Sequence, residues 1–284
     1  MPHFMKILFP LDSTGESESA LPCVERLARR WGSEIVLVQV TEPFVGMQPQ
    51  YWQPLEEQAL STSREYLESV QNRLTGLQVK TLSLIGSPRT ALVEAAQDEG
   101  CELIVMISHG RSGLTRWLVG SISESVLRQS TVPLLLLHPP GPQVGEFHRV
   151  LVPLDGSEPS LQVLSRITPF LAANAQVTLL RCTDFSAQQQ LHMAKDSSME
   201  QVMEQLQQEL DAVEVPWANV ERKLVKAAAS EGILRCAQEI DSDLIAMSTH
   251  GRSGFRRFWL GSVTEKVARS SPCPVLAFPG KALE

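Results

Sequence analysis

The chain has 284 residues, 43% hydrophobic and 20% charged, with a formal net charge of −7. Such a length makes one or two domains at roughly 100–200 residues each, and the balance is that of a globular protein with material for cores. The acidic charge argues against a broad basic surface for DNA or RNA. The opening MPHFMKILFPLD carries one lysine and a short apolar run stopped by Asp12, which predicts neither a secretion signal nor a membrane span.

In chain order, short apolar runs alternate with helix-length amphipathic stretches. Strands are expected at Ile7–Leu11, Glu34–Val40, Gln78–Leu84, Leu103–Ile107 and Val132–Leu137, and helices at Glu16–Trp31, Leu55–Leu74 and Thr90–Asp98. Their near-continuous Val, Ile and Leu content suits strands covered on both faces, as in a parallel sheet. Leu92, Ala95 and Ala96 share one helical face, with Glu94 and Asp98 away from it. Further strands follow near Val150–Leu154, Gln176–Cys182, Val220–Val225, Leu244–Met247 and Val275–Phe278. The alternation predicts open α/β sheets with right-handed crossovers.

The pattern occurs twice because the chain is duplicated. Ser108-His109-Gly110-Arg111-Ser112-Gly113 returns as Thr249-His250-Gly251-Arg252-Ser253-Gly254, and 250 minus 109 gives an offset of 141. Gly120-Ser121, Glu124, Arg128 and Pro133 recur at that offset as Gly261-Ser262, Glu265, Arg269 and Pro274. So long a period marks a repeated domain, not a solenoid, whose repeats span roughly 20–50 residues. The Pro- and Gly-rich stretch His138–Gln143 is the linker, giving domains over 1–140 and 147–284. The apolar end strands 132–137 and 273–278 are expected to pair across an internal pseudo-dimer, since uncovered edges invite aggregation.

Doubly wound sheets take ligands outside the carboxyl ends of their strands. Asp12 and Asp155 end the first strand of each half and precede small residues, Ser13-Thr14-Gly15 and Gly156-Ser157. An acid there accepts hydrogen bonds from a ribose or base, or else serves as a turn or N-cap acid. After the fourth strand, Gly110 and Gly251 are each followed by nine residues and then by Gly120-Ser121 or Gly261-Ser262. With Glu124 and Glu265 three residues beyond the serines, the spacing reads as a capping box starting helices at Ser121 and Ser262. A helix start preceded by glycine is a ready phosphate site, with free N–H groups and no Cβ in the way.

The start Pro153-Leu154-Asp155-Gly156-Ser157-Glu158, the stretch Thr249 to Val267 and its partner Ser108 to Val126, and Cys273-Pro274-Val275 together resemble the universal stress protein family over nearly the whole chain. The resemblance implies two tandem five-stranded parallel sheets with helices on both faces, a Rossmann-like fold, and bound ATP, with or without Mg2+. By position it implies that Asp12 and Asp155 face the nucleoside, with backbone at Val40 and Cys182 beside the adenine. Phosphates would fall to Gly110, Gly120, Ser121 and Ile122 in the first half, and to Gly251, Gly261, Ser262 and Val263 in the second. Pro10, Pro153, Met247 and Ser248 complete the implied nucleotide set. Where the family usually has a further glycine, this chain has Ile107 and Ser248, so the second site is expected to bind more tightly.

His109 and His250 invite a catalytic role, but no sequence partner orients them and a structural loop role is the better reading. Phe44, Tyr51 and Trp52 lie in a Pro-rich insert, Glu42–Pro54; packing on its own domain is the better reading, with a lid or a partner contact as alternatives. Five scattered cysteines, without a C-x-x-C pair, suit reduced thiols in the cytoplasm and neither a disulfide scaffold nor a zinc site. The expectation is an adenine-nucleotide-binding stress-response protein acting through conformation or partner binding, with no structural metal, nucleic acid or membrane partner. A further homodimer of two chains is left open. A slow ATPase at the same site, or a partner-binding protein with unoccupied pockets, are the alternatives.

Overall fold

The computed structural model describes residues 6–43, 49–108, 120–139, 145–183, 199–250 and 261–280. The chain divides into two compact units, one built on Met1–Glu146 and one on Phe147–Gly280. The first contains β1 (Lys6–Pro10), α1 (Gly15–Glu18), α2 (Leu21–Trp31), β2 (Glu34–Thr41), α3 (Pro49–Arg73), β3 (Val79–Ile85), α4 (Pro88–Asp98), β4 (Leu103–Ile107), α5 (Ser121–Gln129) and β5 (Leu134–Leu137). The second contains β6 (Phe147–Pro153), α6 (Glu158–Arg166), a short 3-10 turn (Thr168–Phe170), β7 (Leu171–Thr183), α7 (Met199–Asp211), β8 (Val220–Lys226), α8 (Ala229–Glu239), β9 (Leu244–Ser248), α9 (Ser262–Ser270) and β10 (Val275–Phe278).

Within the first unit the strands lie in the order β3-β2-β1-β4-β5, and within the second β8-β7-β6-β9-β10, all parallel. Ile7 of β1 pairs with Ile35 on one side and Leu103 on the other; Val150 of β6 likewise pairs with Val177 and Leu244. The chain therefore winds outward in one direction from β1 through β2 to β3, then returns to build β4 on the other flank. This reversal opens a crevice at the carboxyl ends of β1 and β4, and of β6 and β9. Ile7, Leu8 and Phe9 are all fully buried, as consecutive residues are when helices cover both faces. The α4 face behaves as its periodicity predicts, with Leu92, Val93, Ala95 and Ala96 buried and Glu94 and Asp98 exposed.

Three elements depart from expectation. The single helix expected over Glu16–Trp31 is two, because Pro22 lacks the N–H that would continue the ladder through Ser19 and Ala20. Helix α3 begins at Pro49 and carries Pro54 inside it, so the end of the Pro-rich insert is helical and not an open loop. The start of β7 at Leu171 precedes the expected Gln176. Pro169 ends the helical path after α6, and the strand then runs Leu171–Ala175 before a register shift: Phe147 pairs with Leu171 but Arg149 with Gln176. Phe44, Gly110 and Gly251 lie outside the described residues, as do His109, Arg111, Ser112, Arg252 and Ser253.

Candidate functional site

Each crevice holds a cavity, about 220 Å³ in the first unit and about 280 Å³ in the second. In the first, Pro10, Asp12, Val40, Gly120, Ser121 and Ile122 all line it. In the second, Pro153, Asp155, Cys182, Met247 and Ser248 meet Gly261, Ser262 and Val263. Every sequence-predicted site residue within the described segments thus reaches one of two equivalent walls.

The acids sit in matching turns. Asp12 Oδ1 accepts from Thr14 N at 3.0 Å and Thr14 Oγ1 at 2.6 Å, and Asp155 Oδ1 accepts from Ser157 N at 2.9 Å and Ser157 Oγ at 2.5 Å. The hydroxyls of Thr14 and Ser157 in turn cap the helices α1 and α6. Each aspartate therefore braces the turn that carries it, while remaining part of the cavity wall.

The helix starts differ from the capping box. Gly120 and Gly261 are the N-caps, with φ of −64° and −60°, and among the described residues no side chain caps either helix. Ser121 and Ser262 are the first helical residues and are exposed. Glu124 and Glu265 pair one turn on with Arg128 at 2.9 Å and Arg269 at 3.0 Å. The first amides of an α-helix have no partner within it, so the N-termini of α5 and α9 present N–H groups and a positive dipole end beside the cavity. What fixes the helix to the sheet is the next hydroxyl: Thr264 Oγ1 donates to Ser248 O at 3.0 Å, and Ser123 Oγ makes a longer 3.5 Å contact with Ile107 O.

The rest of the wall is mostly apolar. Val38 and Val40, two apart on β2, present the same face to the first cavity, with Pro88, Leu92, Met106 and Ile107 opposite. Leu180 and Cys182 take the equivalent places in the second. Burial pushes the Cys182 thiol up to about 11, with Cys236 adding and Arg235 opposing. Its sulfur rests on Gly232, where a Cβ would come within 2.6 Å. Sequence reasoning missed Val38, Ser123, Thr264 and the cavity position of His250; the period of two back from Val40, and a hydroxyl recurring 141 residues on, were the available signals. Ser248, part of the implied nucleotide set, gives its hydroxyl to His250 O at 2.7 Å. Among the described residues no group of three or more His, Cys, Asp or Glu is placed to hold a metal ion, and no helix is long and apolar enough to cross a membrane.

Parallel strands with helices on both faces, an order that reverses beside β1 and β6, and a cavity at each reversal define open, doubly wound α/β domains. The chain belongs to the universal stress protein family: the model for that family matches residues 3–138 and again 146–279. A universal stress protein of Mycolicibacterium smegmatis is 26% identical over 285 residues, covering 95% of this chain and 95% of that protein. The crystal structure of a universal stress protein from Archaeoglobus fulgidus, 21% identical, shares the fold with a TM-score of 0.73 over 97% of this chain and 98% of its own. Another solved structure, 19% identical with a TM-score of 0.38 over 48% of this chain and 98% of its own, is a universal stress protein in complex with cAMP.

Proposed function

We propose that each unit binds an adenine nucleotide, ATP foremost, and that binding biases conformation or partner choice without turnover. The observation that carries this reading is the convergence of the strand-end acids, the apolar β2 or β7 wall and an uncapped Gly-Ser helix start on one cavity, twice in one chain. Apolar walls suit a base, and a carboxylate suits ribose hydroxyls. N–H groups at a helix start suit phosphate. Both cavities are smaller than the roughly 300–1,000 Å³ of drug-sized sites. The base and sugar would occupy the cavity and the phosphates its rim at Ser121–Ile122 or Ser262–Val263. Mass spectrometry of ligand released by heating the purified protein, with equilibrium dialysis against labelled ATP, tests the proposal. Adenine nucleotide at up to two per chain is the expected result; none released and none bound at millimolar concentration would overturn it.

The same proposal includes the internal pseudo-dimer, with strand 132–137 paired to 273–278. A crystal structure with these two strands far apart and solvent-facing would count against that pairing.

A further inference from the structure

A groove of about 630 Å³ lies between α6 and the end of α7, lined by Leu161, Leu164, Val213 and Pro216 together with Glu209 and Glu214. It shares no residue with the nucleotide cavity of the same unit. Helix α7 stands between β7 and β8 in the chain, so its last turn falls at the amino end of β8, away from the strand ends that form the cavity. Arg222 of β8 fixes that turn, donating to Leu210 O at 3.3 Å and to Val213 O at 2.7 Å. The groove is therefore shaped by contacts within the unit and needs no occupant to form.

The equivalent place in the first unit is closed. Leu161 follows its helix cap Ser157 by four residues, as Glu18 follows Thr14. Glu18 accepts from the Tyr66 hydroxyl at 3.0 Å and pairs with Arg73, so a polar clasp ties α1 to α3. Leu161 cannot make such a clasp, and α7 carries no Lys or Arg to complete one. The leucine is instead 40% exposed, and Ala212 and Pro216 opposite are exposed as well. Covering them would remove apolar surface from water.

The charge around the groove selects what can cover it. Residues 199–218 hold Glu200, Glu204, Glu209, Asp211 and Glu214 and no basic residue. Arg181 offsets Glu209 in part, at 3.5 Å, and the Arg222 guanidinium is engaged by carbonyls. Such a rim opposes a second copy of this acidic chain and favours a cationic partner. We infer that the α6–α7 groove docks a basic amphipathic helix of a partner protein. Its apolar side chains would lie between Leu161 and Val213, and its Lys or Arg side chains on Glu209 and Glu214. Docking there does not depend on the nucleotide reading above.

Titrating a labelled amphipathic Leu/Lys peptide with the full chain at about 0.15 M salt, followed by fluorescence anisotropy, tests the docking. A photoreactive leucine in the peptide maps where it sits. Saturable binding is expected, with cross-links to α6 and to residues 209–216. Leu161→Asn, at an exposed position, should weaken binding by about three- to tenfold, the worth of burying part of a leucine. Glu214→Lys should weaken it by about two- to fivefold, as loss of an exposed charge pair does. Glu57→Lys, the same change at an exposed position of α3, should leave it unchanged. Equal losses from the two lysine variants would reduce the binding to bulk charge and overturn the site, as would cross-links elsewhere or no saturable binding. Equally tight binding of a Leu/Glu peptide would overturn the basic partner. A wild-type dimer in sedimentation that Leu161→Asn dissolves would give the groove to a second copy and sink the proposal.

Discussion

Gln39 Nε2 donates to Ser13 Oγ at 2.7 Å, bridging the carboxyl end of β2 to the turn after β1. Ser13 holds a φ of 64°, in the left-handed region that a side chain disfavours, and Gly156 holds 80° at the same place in the second unit. Position 181, equivalent to Gln39, is an arginine paired with Glu209 at 3.5 Å. Gly156→Ser should therefore cost about 1 kcal/mol, while Ser13→Gly should move stability by less than half as much, relief of strain being offset by the lost Gln39 bond. Urea unfolding of both variants checks this; equal and opposite shifts would contradict it.

The N-cap glycines are not equivalent either. Among the described residues a Cβ on Gly120 meets nothing within 4 Å, whereas one on Gly261 falls 2.9 Å from Thr249 O. Neither φ is positive, so the cost at Gly261 is contact and not backbone strain. Gly261→Ala should destabilise by about 1–3 kcal/mol, as overpacking does, and Gly120→Ala by no more than about 1 kcal/mol, a cap preference alone. Denaturant midpoints for the pair decide the matter. Gly120→Ala is in consequence the cleaner probe of nucleotide binding.

Glu18 links α1 to α3. A hydrogen bond from Arg73 holds its carboxyl below the usual 4.5, burial opposes, and the Tyr66 hydroxyl, 3.0 Å away, adds to the lowering. A carboxylate whose pKa is lower folded than unfolded stabilises fully above its unfolded value and loses that contribution as pH falls through the folded one. Below pH 4.5 the wild-type melting temperature should fall more steeply than that of Glu18→Gln; above it, the wild type should stay ahead by a constant margin. Parallel melting curves across that range would refute the linkage.

Burial dominates the thiols. It pushes Cys23 and Cys101 up to about 12 and Cys182 and Cys273 up to about 11, and raises Cys236 as well. Since the thiolate is the reactive form, iodoacetamide at about pH 8 should leave the native protein largely unmodified and label all five cysteines in denaturant. Fast native labelling of Cys182 by peptide mapping would show that its pocket face governs it.

The sheet was legible because consecutive buried residues such as Leu103–Ile107 leave no choice of face, and the duplication let each half check the other. The cavity walls at Asp12, Val40 and Gly120 were legible for the same reason, since each has a partner in Asp155, Cys182 and Gly261. What was not legible depended on atoms rather than spacing. The S-x-x-E pattern at Ser121 marks the helix start where the structure has it, yet the cap is Gly120 and Glu124 pairs with Arg128. Spacing leaves the Ser248 hydroxyl open to a ligand, whereas in the structure it donates to His250 O at 2.7 Å. Pro22 and Pro54 have opposite outcomes, a break and a continued helix, and periodicity alone cannot tell such cases apart.

The register shift in β7 lies at the amino end of that strand, opposite Phe147, while Leu180 and Cys182 meet the cavity at its other end. Between them Arg149 to Pro153 hold β7 in unbroken pairing from Gln176 to Leu180. Ala173 and Asn174, both exposed, precede that pairing, so a change in chain length there should be absorbed before it propagates along the strand. That spot is a natural splice point: a short tag or a fluorescent reporter inserted there would ride on the second unit without moving the walls of its cavity.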